Sequence, residues 1–66
     1  MAPRTRLGAL VKSLRGAMTQ QELAKKAKVT TAYISLLESG KKKNPSLDVL
    51  KRLARALGVP VTELLG

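Results

Sequence analysis

Apolar residues recur along this chain at intervals of three and four, and no stretch alternates apolar and polar as a strand does. Leu7, Leu10, Val11 and Leu14 form one stripe, closed by Gly16. Leu47, Leu50, Leu53, Ala54 and Leu57 form a second, closed by Gly58 at a C′ position that suits glycine. Two shorter helical segments lie between them. A last segment, roughly Pro60 to Leu65, opens with a proline, where a missing N–H costs nothing. The pattern predicts an all-α chain of five short helices in one domain spanning residues 1–66.

Capping residues agree with these boundaries. Thr19-Gln20-Gln21-Glu22 is a capping box, in which the Thr19 hydroxyl accepts from the N3 amide and Glu22 reaches back. Met18 before it is placed to staple onto Leu23. Thr30 repeats the arrangement, with Val29 stapling onto Ile34, and Ser46 caps the fourth helix, whose first turn carries Asp48 where the dipole favours a carboxylate.

Gln20 to Leu37 forms a unit. Leu23, Ala27, Val29, Ile34 and Leu37 are apolar, Ala24 is small enough for a close helix crossing, and Lys28-Val29-Thr30 breaks the run. Packing the apolar set across the pair leaves Thr31, Ala32, Ser35 and Leu36 facing outward. This is the geometry of a helix-turn-helix, here over residues 20–39, whose second helix enters a major groove while the first crosses the backbone.

Composition narrows the chemistry. Among 66 residues, 13 Lys and Arg stand against 4 Asp and Glu, a net charge of +9 that calls for a polyanionic partner. Residues 1–45 carry net +8 and residues 46–66 net +1, so the charge sits with the helix-turn-helix half. Cys and His are both absent, which excludes disulfides, the usual zinc sites and His-assisted nucleophiles. Each of the carboxylates, Glu22, Glu38, Asp48 and Glu63, has a structural reading, so an enzyme is not expected, nor a cofactor. With no apolar run long enough to span a membrane and no signal-peptide core, a cytoplasmic location is the expectation. RNA or single-strand binding is disfavoured because stacking platforms need aromatics and Tyr33 stands alone.

The run from Thr19 to Leu65 closely resembles the Cro/CI-type (XRE) helix-turn-helix family, which includes lambdoid phage repressor DNA-binding domains and restriction–modification controller proteins. The resemblance rests on T-Q-x-E-L-A, Y-I-S-x-L-E-x-G, N-P-S-L and A-L-G-V, in order, and extends from about Leu7 to Leu65. It implies a compact, lambda-repressor-like fold and a bacterial or phage nucleoid-associated regulator, a repressor or autoregulator on a palindromic operator. The competing reading is an antitoxin-like or adaptor module that uses the same fold to engage a protein. Two departures stand out. Lys28 occupies the turn position the family fills with Gly, and the connection from Leu14-Arg15 to Met18-Thr19 is about two residues shorter than the common form.

The resemblance also implies residue roles. Gln20 is expected to bond a phosphate and brace a base-reading side chain. Thr30, Thr31, Ala32, Ser35 and Leu36 are expected at the DNA, Thr and Ser as hydrogen-bonding groups, Ala and Leu against a thymine methyl. The recognition helix lacks Arg, Gln and Asn, so shape and apolar contact carry more of the readout. Tyr33 either meets the sugar–phosphate edge or packs half-buried. Lys41, Lys42, Lys43 and Asn44 are expected along the phosphate backbone, and Arg4 and Arg6 in a flexible basic arm over residues 1–6. Arg15 and Glu38 would form an ion pair locking the recognition helix to the first helix. Pro60, Val61, Leu64 and Leu65 are expected about a homodimer surface, Val61 and one of the two leucines packing inward and Pro60 and the other leucine staying exposed. That surface is expected to pair weakly in solution and firmly on double-stranded DNA, with no small-molecule ligand.

Overall fold

The computed structural model describes residues 6–42 and 44–65. Its five helices are α1 (Arg6–Arg15), α2 (Gln20–Ala27), α3 (Thr31–Glu38), α4 (Leu47–Leu57) and α5 (Val61–Leu65), with no strand among the described residues. None of them is long and apolar enough to cross a membrane. Packing of α2 against α3 and α4, of α5 against α4, and of α1 against α3 and α5 closes the bundle around one core. Val11, Leu23, Ala24, Ala27, Ile34, Leu37, Leu50, Leu53, Ala54 and Leu64 fill it. Each fully buried Leu or Ile contributes about 2 kcal/mol, which matters in a domain this small.

Local chemistry sets the helix ends. Thr19 Oγ1 accepts from the Glu22 amide at 3.1 Å while a Glu22 carboxylate oxygen accepts from the Thr19 amide at 2.9 Å, closing the capping box. Thr30 Oγ1 accepts from the Tyr33 amide and Ser46 Oγ from the Val49 amide. Only half of the box is repeated at Thr30, because its N3 residue is Tyr33 and has no carboxylate to reach back. The connection after α1 is kept short by an early helix stop and a tight turn. The helix stops at Arg15, and Gly16, at φ +55°, lets the Met18 amide turn back to the Arg15 carbonyl at 2.9 Å.

α2 and α4 end alike. The Val29 and Val59 amides reach back to the Ala24 and Ala54 carbonyls, around left-handed residues Lys28 (φ 59°) and Gly58 (φ 72°). Glycine adopts this conformation freely; Lys28 does so at a cost of about 1 kcal/mol.

Three expectations are corrected. Arg6 is the first residue of α1 rather than part of an arm; Arg4 lies outside the described residues. Leu47 is half exposed because, as the first residue of α4, it lies past the core layer that begins at Leu50. Pro60 precedes α5 rather than opening it, its carbonyl accepting from the Glu63 amide.

Candidate nucleic-acid interface

Ile34, Leu37 and Glu38 turn inward from α3, which leaves Thr31, Ala32, Ser35 and Leu36 exposed along its opposite side. Leu36 keeps 42% of its surface in solvent, so the core does not claim it. At the end of α3 the Leu36 carbonyl accepts from the Lys41 amide at 3.0 Å, the Lys42 amide at 3.1 Å and Ser39 Oγ at 3.0 Å. Gly40, at φ +84°, allows this fold-back, which holds Lys41 and Lys42 beside the exposed face of α3. Asn44 is also exposed, and Lys43 lies outside the described residues. Tyr33 is half-buried, with Lys42 Nζ 5.3 Å from its ring centroid, a cation–π distance. Burial raises the pKa of its phenol, opposed by the nearby charge of Arg52.

Behind α3 lies a three-helix clamp. Arg15 on α1 donates through Nε to Glu38 Oε2 at 2.8 Å and through Nη2 to Oε1 at 3.1 Å, a two-pronged ion pair. Its Nη1 donates to the Met18 carbonyl at 2.7 Å, fixing the α1–α2 turn to the same guanidinium. Gln20 Nε2, at the start of α2, donates to Glu38 Oε1 at 3.0 Å. Glu38 is 5% exposed. Burial works to raise its carboxyl pKa, but the hydrogen bonds from Arg15 and Gln20 and the charges of Arg15 and Lys12 outweigh it and hold the pKa below the ordinary value. Gln20 thus braces Glu38.

Lys12, Gln20, Ser35, Glu38 and Ser39 line a hollow of about 190 Å³ beside the clamp, which brings Gln20 and Ser35 together. Lys12 and Ser39 escaped the sequence reading. Lys12 lies three residues before Arg15, on adjoining turns of α1, and that spacing is the one signal that could have placed it here.

At the other end of the chain, Pro60 is exposed, Val61 half-buried and Leu65 55% exposed. Leu64 is 4% exposed and belongs to the core, which removes it from the expected pairing surface. In a five-residue helix packed on α1 and α4, only one of two consecutive leucines can point outward.

Two eight-residue helices joined by a tight turn, the second clamped from behind and offering a small polar and apolar face between cationic groups, define a helix-turn-helix protein. The helix-turn-helix family pattern matches residues 11–64. A crystal structure of SinR, described as a master regulator for biofilm formation and solved in complex with DNA, superposes with a TM-score of 0.85 at 34% identity, covering 91% of this chain and 98% of that one. The restriction–modification controller C.AhdI from Aeromonas hydrophila gives 0.82 at 30% identity, over 88% and 89% of the two chains. The clp gene regulator ClgR from C. glutamicum gives 0.79 at 38%, over 89% and 78%. No curated protein sequence matches the chain. The chain belongs to the XRE-type helix-turn-helix family.

Proposed function

We propose that this protein is a sequence-specific double-stranded DNA-binding transcriptional regulator, a repressor or autoregulator that binds a palindromic operator as a homodimer with α3 in the major groove. The observation that carries this reading is the exposed face of Thr31, Ala32, Ser35 and Leu36 on a helix held rigidly from behind by Arg15, Gln20 and Glu38. A rigid helix presents its side chains to base edges at fixed positions, and the Lys41–Asn44 loop supplies charge for the flanking phosphates. Thr31 and Ser35 hydroxyls bond base edges, and Ala32 and Leu36 meet thymine methyl groups. SinR, solved on DNA, supports the reading by fold and by identity.

Selection of bound sequences from random duplex DNA tests it. The expected product is a palindrome, bound with a slope of log K against log salt near roughly −9 for about 5 phosphates per protomer. Recovery of no preferred sequence, or an affinity indifferent to salt, would reject the proposal.

A further inference from the structure

Asp48, Lys51, Arg52 and Arg55 follow one another at helical spacing along the outer side of α4, opposite Leu50, Leu53 and Ala54, and line a hollow of about 210 Å³. Lys51 and Arg55 are exposed, and the carboxylate of Asp48 pairs with Arg52 Nε at 3.3 Å. Arg52 also donates through Nη1 to the carbonyl of Lys28 at 3.1 Å, which ties this side of α4 to the turn between α2 and α3. The same arginine bears on Tyr33, whose ring carries Lys42. Arg52 thus stands between the turn that carries Lys28 and the Tyr33–Lys42 side of α3, with Lys51 and Arg55 beside it on the outer face of α4 and Asp48 the one carboxylate among them.

Lys28 adds a separate observation. It is the only described non-glycine residue with positive φ, in a place where Gly58 shows that glycine would serve. Its side chain is exposed and takes no part in capping, which its backbone performs alone. Strain held at such a position directs attention to what the side chain does, and here the residue that bears it is tied through its carbonyl to Arg52, next to the three cations of α4.

We infer that Lys28, Lys51, Arg52 and Arg55 form a second cationic surface that binds the phosphodiester backbone of double-stranded DNA flanking the operator half-site. The inference rests on the proposed function, because the surface lies beside the helix assigned there to DNA. Four cations against one already paired carboxylate give it the right sign. Lys51 and Arg55 stand about 6 Å apart along the axis, a linear array suited to a polymer carrying one charge per about 1.7 Å of duplex. None of the four belongs to α3, so the surface adds affinity without reading sequence.

The test compares a duplex holding the selected site alone with one extended by about one helical turn, or 10 bp, on each side. The wild-type chain is expected to bind the longer duplex several-fold more tightly and with a steeper salt slope. The exposed double variant K51A/R55A should bind the short duplex as the wild type does and lose the gain on lengthening, its slope flattening by about 0.9 for each phosphate lost. K28G should melt higher, its backbone relaxed, and yet bind the long duplex less tightly, which separates charge from folding. A double variant that keeps the whole gain overturns the inference while operator binding stands. Polyglutamate bound more tightly than flanking DNA overturns it in favour of an acidic protein partner. A wild-type chain that prefers no duplex sequence overturns this inference and the proposed function together.

Discussion

Glu38 receives bonds from α1 and α2 while standing on α3, so its ionisation couples the recognition helix to the rest of the molecule. Its folded pKa lies below the ordinary carboxylate value of 4.5, so the clamp stabilises the fold fully at neutral pH. That contribution is expected to fall away as the pH drops below 4.5 and through the lower folded value, with Glu22, lowered by its bonds to Thr19, adding to the same acid limb. Arg15→Ala removes two bonds from a buried carboxylate and should lower stability by about 2 kcal/mol, or Tm by roughly 10 °C. It should also shrink the loss of stability between neutral and acid pH, since Glu38 then titrates closer to its unfolded value. An unchanged melting temperature, or an acid limb as steep as in the wild type, would remove the clamp from the account. The Arg15–Glu38 pairing was legible through family resemblance; the place of Gln20 in it was not. A glutamine at a helix start suits a phosphate or a carboxylate equally, and only the approach of Glu38, 18 residues further on, decides the orientation of its amide.

Helix boundaries were legible because they are set by neighbours in sequence. Thr19, Thr30 and Ser46 each bond an amide three residues on, and the left-handed stops at Lys28 and Gly58 close onto the preceding turn. The misreading at Leu47 arises where a helix outruns its packing partners, since a period of 3.6 residues fixes a face but says nothing of how far along the axis it is covered. Pro60 is missed by one residue because a proline suits both the position before a helix and its first turn. The Thr19 cap has a consequence beyond α2. It sets the start of the helix on which Gln20 reaches Glu38, so fraying there should loosen the clamp as well. Thr19→Ala is expected to cost about 1 kcal/mol. In a double-mutant cycle with Glu38→Gln its effect should be non-additive by at least about 0.5 kcal/mol, as for residues in one bonded network. Strict additivity of the two melting shifts would confine Thr19 to a local capping role.

At the scale of the whole molecule, charge and shape together bear on how two copies would sit on DNA. The chain extends 30 × 24 × 20 Å, and two recognition helices one turn of duplex apart are separated by about 34 Å. Protomers at that spacing meet only along a narrow side. What α5 leaves outside the core suits a contact of that kind: Pro60, a half-buried Val61 and Leu65 make a patch far short of the roughly 1,200 Å² that a stable interface buries. The lower net charge of residues 46–66 reduces the repulsion that two such basic chains would otherwise feel. The dimer is therefore expected to be weak in solution and to be assembled by the operator, with cooperative binding to the palindrome. Leu65→Asp should abolish that cooperativity and leave both the melting temperature and the affinity for a single half-site near the wild-type values. Leu64→Ala, one residue earlier and inside the core, should instead cost about 3 kcal/mol of stability. Sedimentation of free and operator-bound protein, with titrations on one and two half-sites, reads these quantities directly. A 1:1 complex that binds an isolated half-site with the full affinity of the palindrome would defeat the dimer, and a Leu65→Asp chain that still binds cooperatively would move the contact away from α5.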